Sequence, residues 1–315
     1  MKVFAIDIGG SSVKYALLEV ERGKAAILTA YKPEQLPSNL FSDLRGTVVA
    51  ATEYALQNED ISTVAISTTG NVDQNGTVRR AGHFQGYENV SWPDILRSEF
   101  PRLSRVTTVN DGKAATWAEF SATKGISKAF AHVVVGTGIG GGIVINGQLF
   151  YGNEGSAGSF GHIKVCVDTK IRCSCTRIGC VETVASAPAI IREYKRANQD
   201  RNVSEQLGLE EIAMRAEAGD KSAVRAFAEA GRWLGVALSD VMNIVNPEIV
   251  TIGGGVVLAA QSILGPNGRN VFIEETATSA KSLALRRVAA ATEIRGATYG
   301  NDSGLIGAAI LACEA

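Results

Sequence analysis

The chain has 315 residues, of which 45% are hydrophobic and 20% charged. This is the balance of a globular protein long enough for two domains and a large core. A formal net charge of −1 gives no basis for binding nucleic acid or an anionic membrane. No apolar stretch is long enough to span a bilayer and no signal-peptide pattern opens the chain, so we expect a cytoplasmic protein.

Strand and helix patterns alternate along the chain. In the first part we predict strands at 3–8, 13–20, 63–67 and 106–109, with helices at about 44–56 and directly after Asn110-Asp111-Gly112. In the second part we predict strands at 129–135, 142–145 and 248–252, and helices at 188–197, 208–218, about 220–244 and 302–311. Strand-then-glycine units recur near residues 9, 136 and 253, which favours an α/β fold of two related domains beside a cleft.

Glycine-rich segments follow three of these strands. Bare glycine backbone lets amide N–H groups approach phosphate oxygens, and Asp7 at a strand end is placed to hold hydrated Mg²⁺. One strand followed by glycines is more often only a tight turn, but ligand crevices of α/β folds lie at such strand ends. The candidate nucleotide-binding residues are Asp7, Gly9, Gly10, Ser11, Ser12, Gly136, Thr137, Gly138, Gly140, Gly253, Gly254 and Gly255.

Two familiar phosphate motifs are absent from the sequence. There is no GxxxxGK[ST], and no GxGxxG followed by a ribose-binding acid at the usual distance. The G-x-G within 136–140 leads into another strand rather than a helix, which disfavours a Rossmann dinucleotide site.

Asp111 lies where a predicted strand meets a predicted helix. A carboxylate at that point can accept the proton of an attacking hydroxyl group. An aspartate there can equally be a helix N-cap. The residues alone leave both interpretations open.

A histidine and three thiols lie within nineteen residues: His162, Cys173, Cys175 and Cys180. This is a four-ligand set of the kind that binds structural zinc, with glycines beside it for tight turns. Separate buried thiols are the alternative, but the segment is too polar and irregular for a core. The other two cysteines, Cys166 and Cys313, are expected to be packed thiols.

The order of these motifs resembles the ROK family of repressors, uncharacterised reading frames and sugar kinases. The resemblance runs from residue 3 to residue 312. It rests on Asp7-Ile8-Gly9-Gly10-Ser11, Asn110-Asp111, the glycine segment 136–142, Gly158-x-x-Gly161-His162, Cys173-x-Cys175-x4-Cys180-Val181-Glu182, Ile252-Gly253-Gly254-Gly255 and the segment 300–309. The resemblance implies an actin/hexokinase-like (ribonuclease H-like) two-domain ATPase fold with a cleft between the domains. It also implies a homodimer.

The family resemblance assigns roles to individual residues. Asp111 becomes the catalytic base, and ATP, Mg²⁺ and structural Zn²⁺ become the expected cofactors. The implied substrate-binding residues are Gly70, His83, Asn110, Ser159, His162 and Glu182. The expected domains are 1–112, joined by a C-terminal helix at about 302–315, and 113–301, which carries the zinc ligands.

Four positions depart from the family pattern. Ser159 replaces the usual glutamate of Glu-x-Gly-His, His83 a common asparagine, Thr176 a usual glycine and Ser12 a frequent lysine. N-acetylmannosamine kinases of the family can also lack that glutamate, so an N-acetylhexosamine is a candidate substrate beside glucose.

The resemblance therefore predicts an ATP-dependent kinase acting on the 6-hydroxyl group of glucose or an N-acetylhexosamine such as N-acetylmannosamine. The alternative is a catalytically weak sugar-binding regulatory protein of the same family without a DNA-binding domain. A DNA-binding repressor is disfavoured because the first strand starts at residue 3 and no basic recognition helix is evident.

Overall fold

The computed structural model describes residues 1–10, 12–82, 84–123, 127–165, 170–198 and 204–314. The predicted site residues Ser11 and His83, and the thiol of Cys166, lie outside the described residues. The chain forms two compact units. The first comprises Met1–Ile126, Gly142–Gly158 and Asn301–Ala315, and the second Ser127–Gly141 and Ser159–Gly300. The domain limits expected from the sequence, at 112 and 302, stay a prediction.

The elements up to the third long helix are β1 (Lys2–Ile8), β2 (Ser12–Glu21), β3 (Lys24–Ala30), β4 (Glu34–Gln35), α1 (Phe41–Asn58), β5 (Thr63–Thr68), β6 (Asn71–Val72), β7 (Thr77–Arg80), β8 (Val90–Ser91), α2 (Trp92–Glu99), β9 (Arg105–Asn110) and α3 (Asp111–Ala122). The remaining elements are β10 (Ala129–Val135), β11 (Ile139–Ile145), β12 (Gln148–Leu149), α4 (Glu182–Ala185), α5 (Ala187–Ala197), α6 (Leu209–Glu217), α7 (Lys221–Val245), β13 (Ile249–Gly253), α8 (Gly255–Ala259), α9 (Val271–Leu283), α10 (Arg286–Ala291), β14 (Glu293–Gly296) and α11 (Ser303–Glu314).

The main sheet of the first unit has the order β3-β2-β1-β5-β9, with β4 paired to β2. The strands β1, β5 and β9 are parallel, whereas β1 and β2 form an antiparallel hairpin. The strands β1 and β5 are buried along nearly their whole length because both faces of this sheet are covered. The core beneath it includes Ile6, Ile66, Leu44 and Trp92, none of which is exposed.

Helix α11 packs closely against the first unit's strands and against α3. A Cβ atom at Gly307 would lie 1.7 Å from the carbonyl oxygen of Ala114, so only glycine allows this approach. A Cβ atom at Gly304 would lie 2.8 Å from Asp7 Oδ1. Gly304 and Gly307 are therefore explained by helix packing.

The other large sheet has the order β12-β11-β10-β13-β14, and the boundary between the units passes through β11 between Gly141 and Gly142. Strands β10, β13 and β14 are parallel. His132 on β10 is buried, and its Nδ1 lies 2.8 Å from Thr251 Oγ1 on β13. Burial lowers the pKa of His132 to about 3, so this imidazole is neutral and belongs to the core.

The predicted long elements are present, with limits that differ by a few residues. The sequence analysis missed the edge strand β3, the small β6-β7-β8 sheet, helices α2 and α9, and β14. Short or weakly alternating segments such as these take their conformation from packing rather than from local periodicity. Over the described residues, no helix combines the length and the hydropathy needed to cross a membrane.

Candidate active site

Three parallel strands of the first unit end at the same level. In the strand register, Ile8 of β1 is paired with Thr68 of β5, and Thr68 with Asn110 of β9. The chain then continues into the glycine turn at Gly9, the Thr69-Gly70 turn and the start of α3. This is the sheet edge at which ligands bind in α/β folds. It brings together residues that are about one hundred positions apart in the sequence.

Asn110 is the N-cap of α3, because its Oδ1 accepts a hydrogen bond of 3.1 Å from the Lys113 backbone N–H. Its Nδ2 donates to the Gly70 carbonyl oxygen and to Asp111 Oδ1, both at 2.8 Å. Gly70 has a φ of +100°, and a Cβ atom there would lie 2.6 Å from that of Ala81. The cap role that the sequence analysis weighed for Asp111 is therefore filled by Asn110.

The Asp111 carboxylate is the first side chain of α3. Its Oδ1 accepts from the backbone N–H of Gly112 at 2.7 Å as well as from Asn110. Asp111 is exposed at the residue level, yet the surrounding protein desolvates its carboxylate. This desolvation, with the nearby charge of Asp7, raises the pKa of Asp111 to about 6, against the opposing effect of these hydrogen bonds. A carboxylate with that pKa is ionised at neutral pH and is still a competent proton acceptor.

A second carboxylate, Asp7, lies at the end of β1. Ser67 Oγ donates a hydrogen bond of 2.7 Å to Asp7 Oδ1. Burial raises the pKa of Asp7, and the charge of Asp302 raises it further, while Ser67 and Lys14 lower it. Asp7 thus lies among carboxylates that repel it, those of Asp111 and Asp302. Such a group of carboxylates is suited to binding a divalent cation.

Lys14 faces this carboxylate group and was missed in the sequence analysis. It is paired with Asp7 across β1 and β2, and its Nζ lies 3.4 Å from the Asn301 carbonyl oxygen. Strand residues two apart share a face, so Lys14 projects on the same side as Ser12. This alternation could have indicated Lys14 from the sequence, because Lys14 lies on the same face of the strand as Ser12, where the family frequently has lysine.

Glycine segments of the second unit also meet at a sheet edge. Gly253 of β13 pairs with Val134 of β10. Gly254 has a φ of +95°, and a Cβ atom there would lie 2.4 Å from the carbonyl oxygen of Val135. The predicted nucleotide-binding stretches at 136–140 and 253–255 are therefore neighbours, with Thr137, Gly138 and Gly255 exposed.

Gly138 has a second reason to be glycine, in addition to the phosphate contact that the sequence predicts. A Cβ atom at Gly138 would lie 2.8 Å from Glu182 Oε2, the same oxygen that accepts 3.0 Å from the Ile139 backbone N–H. The other oxygen, Oε1, accepts from Ser174 Oγ at 3.0 Å. Glu182 thus joins the glycine segment to the cysteine-rich segment, and its predicted contact with a sugar stays a prediction.

The four predicted zinc ligands are brought together in the second unit. The ligand atoms of His162, Cys173, Cys175 and Cys180 all lie within 4.8 Å of one another. Cys173 Sγ is 3.6 Å from His162 Nδ1, and Cys175 Sγ is 3.5 Å from Cys180 Sγ. These separations match the edges of a tetrahedron of one nitrogen and three sulfur ligands around zinc.

Ser159 is exposed and directly precedes a single 3-10 turn that ends at His162. The His162 backbone N–H donates 3.1 Å to the Ser159 carbonyl oxygen. The closeness of Gly161 to Ile139, where a Cβ atom would lie 2.4 Å from the carbonyl oxygen, fixes this turn beside the glycine segment. A change of side chain at 159 would therefore act next to a zinc ligand.

The sequence matches the ROK family over residues 3–315. The chain belongs to the ROK family. It is 28% identical to a glucokinase of Halalkalibacterium halodurans, over 96% of this chain and 92% of that protein. It is 31% identical to an N-acetylmannosamine kinase of Vibrio cholerae, over 82% of this chain and 85% of that protein.

The structure resembles that of a ROK family glucokinase from Streptomyces griseus, solved in complex with glucose and AMPPNP. The TM-score is 0.81 at 26% identity, and all of both chains is covered. The expected actin/hexokinase-like fold is thereby confirmed, as is the prediction that this ROK protein is a sugar kinase. The alternative of a weakly catalytic regulatory protein is not favoured.

Proposed function

We propose that this ROK kinase transfers the γ-phosphoryl group of ATP to the 6-hydroxyl group of a hexose, with Asp111 as the base. The observation that carries the proposal is the position of Asp111 at the end of β9. Its Oδ1 accepts hydrogen bonds from Asn110 and from the Gly112 backbone N–H, which fixes the orientation of the carboxylate. Desolvation keeps its pKa at about 6, close to the pH at which a general base is most effective.

The sugar would lie against the turn at Gly70 and against Asn110. The amide of Asn110 already joins these two elements, so a hydroxyl group bound there is placed next to Asp111. Asp111 would remove the proton of the attacking hydroxyl group as the new P–O bond forms and the bond from the γ-phosphorus to the bridging oxygen of the leaving ADP breaks. Holding the two reacting groups in this geometry supplies much of the acceleration in phosphoryl transfer.

Asp7 and the glycine turn at Gly9 would face the phosphates. The glycine segments at 136–140 and 253–255 stay predicted nucleotide-binding residues of the second unit. The Asp7 group suits Mg²⁺, which when bound would neutralise charge on the transferred phosphoryl group. Lys14 would supply a cation to the phosphates from the same face of β2 as Ser12. The ammonium ion lies close enough to Asp7 to lower its pKa, which supports this role.

Zinc would be held by His162 and the three thiolates and would have a structural role. A structural zinc ion fixes the conformation of a polar segment that cannot form a core. Glu182 lies two residues after the last ligand, Cys180, and its Oε2 accepts a hydrogen bond from the Ile139 backbone N–H. The zinc ligands would therefore set the position of Glu182 and of the glycine segment.

The substrate we favour is an N-acetylhexosamine. Ser159 is shorter than the glutamate of the usual Glu-x-Gly-His and carries no charge, so it leaves room beside the anomeric end of the sugar. A 2-acetamido group needs that room and offers a carbonyl acceptor. The Vibrio cholerae relative, an N-acetylmannosamine kinase, points the same way, although the Halalkalibacterium halodurans relative is a glucokinase.

A coupled ADP-release assay tests the proposal across glucose, mannose, fructose, allose, N-acetylglucosamine and N-acetylmannosamine. We expect ATP-dependent turnover, with the highest kcat/KM for an N-acetylhexosamine. Turnover with glucose alone would support the proposed kinase reaction but would reject an N-acetylhexosamine as the substrate. No turnover with any hexose would reject the proposed reaction. A homodimer and a cytoplasmic location stay predictions, and sedimentation of the purified chain checks the first.

A further inference from the structure

Lys113 is a buried lysine in the first turn of α3, two residues after Asp111. Only 3% of it is exposed. Its Nζ donates to the carbonyl oxygens of Gly155 at 2.7 Å and Ala157 at 2.9 Å, and it lies 6.0 Å from the centre of the Tyr151 ring. Lysines are almost never this buried unless their charge is satisfied, so these contacts are costly to remove.

The segment 151–158, to which Gly155 and Ala157 belong, is also held in place by contacts of its backbone. Gly155 has a φ of +76°, and a Cβ atom there would lie 2.1 Å from the Val72 carbonyl oxygen. The Ala157 backbone N–H donates 3.1 Å to the Tyr151 carbonyl oxygen. Val72 belongs to β6, which starts directly after Gly70. The segment 151–158, the Gly70 turn and the start of α3 are therefore linked within the first unit.

We propose that Lys113 is a positioning residue for the sugar site: its ammonium ion holds the 151–158 segment against the first turn of α3, beside Asp111 and the Gly70 turn. The proposal rests on the proposed function, because it gives that segment a role in sugar binding. The Lys113 ammonium ion donates two directed hydrogen bonds to this segment, one to the Gly155 carbonyl oxygen and one to the Ala157 carbonyl oxygen. A small displacement of the segment would lengthen both at once.

The charge of Lys113 has a second effect at the base. Asp111 and Lys113 attract each other, so Lys113 lowers the pKa of Asp111 while Asp7 and burial raise it. Burial lowers the pKa of Lys113 itself to about 8, and Asp111 opposes that shift. Among the described residues, the Tyr151 ring also faces Lys113, and burial raises the pKa of Tyr151. Removing the Lys113 charge should therefore raise the pKa of Asp111.

The test compares wild type with Lys113→Met and with Lys24→Met, a matched loss of an exposed lysine on β3. Hydrogen exchange of peptides covering 151–158 is measured without substrates. We expect about 10-fold faster exchange in Lys113→Met only. Unchanged exchange would overturn the proposal at its first step. This readout does not depend on turnover, so it separates the proposal from failure of the kinase assignment.

Kinetics then test the consequence for the site. For Lys113→Met we expect the KM for the sugar to rise about 10-fold and the KM for ATP to stay within about twofold. The acid limb of the kcat profile should also move to higher pH. Faster exchange with an unchanged sugar KM would overturn the positioning role. If Lys113→Met does not fold, Lys113→Gln, which lacks the ammonium ion, must show the faster exchange of 151–158, and unchanged exchange would overturn the proposal.

Discussion

Asn110 and Gly70 are joined by a hydrogen bond of 2.8 Å between the Asn110 side-chain amide and the Gly70 carbonyl oxygen. This bond connects the end of β9 to the turn that follows β5, and the same amide nitrogen also donates to Asp111. One side chain thus caps α3, fixes the turn that we propose to face the sugar, and orients the proposed base. The predictions below start from this arrangement.

Replacing Asp111 by asparagine should stop turnover without preventing sugar binding. The amide has the shape of the carboxylate and keeps an oxygen that can accept from the Gly112 N–H, but it does not take a proton. We expect kcat to fall by about 100-fold or more, with sugar affinity measured by calorimetry nearly unchanged. Asp240→Asn, at an exposed position on α7, is the control. A near-normal kcat in Asp111→Asn would remove this residue from the mechanism.

The pH dependence of turnover should report the same carboxylate. A base acts in its ionised form, and burial with the charge of Asp7 raises the pKa of Asp111 to about 6. Activity should therefore be constant above about pH 7 and fall by about tenfold per pH unit well below pH 6. Steady-state kinetics across this range measure the limb. A profile that is flat down to about pH 5 would contradict the raised pKa.

Purified protein should contain about one zinc ion per chain. Cys175→Ser should lose the metal and lower Tm by about 5 °C or more, because the four ligands hold a segment without a core. Cys313→Ser, outside the ligand set, should keep both zinc and Tm. Elemental analysis and calorimetry measure the two quantities. Metal-free protein from a preparation without chelators would show that the four residues are not a zinc site.

Lys14→Met should weaken ATP binding selectively. If Lys14 contacts phosphate, its loss should raise the KM for ATP about 10-fold while the KM for the sugar changes by less than about twofold. Adding Ser12→Lys to this variant moves the cation two residues along the same face of β2, and we expect it to restore part of the ATP affinity. Equal effects on both KM values would indicate a general disturbance rather than a phosphate contact.

Ser159→Glu should change substrate preference. The glutamate fills the space and supplies an acceptor for a sugar hydroxyl group, and a site built to bond a hydroxyl group discriminates strongly. We expect kcat/KM for glucose to rise relative to that for N-acetylmannosamine by about 10-fold or more. Zinc content serves as the control, since His162 is close in the chain. A ratio that stays constant or moves the other way would mean that residue 159 does not set specificity.

The sequence by itself determined the elements with strong local signals. The apolar runs of β1, β5 and β10 and the periodicity of α7 predict their conformations, because burial of both sheet faces or of one helix face dictates residue type. The spacing of His162, Cys173, Cys175 and Cys180 also predicts that these four side chains lie close together, because a short segment can fold around one ion. The order of motifs identified the family, because so many coincide over the whole chain.

The tertiary structure decided what depends on atoms distant in the sequence. Whether Asn110 or Asp111 caps α3 depends on which side chain meets the Lys113 N–H. The raised pKa of Asp111 depends on burial and on the charge of Asp7, more than one hundred residues earlier. A side chain at position 138 would collide with the Glu182 carboxylate, and no local sequence pattern indicates this contact. Lys113 looks like an ordinary helix residue in sequence. It becomes a buried ammonium ion only because the 151–158 segment folds over it and presents two carbonyl oxygens.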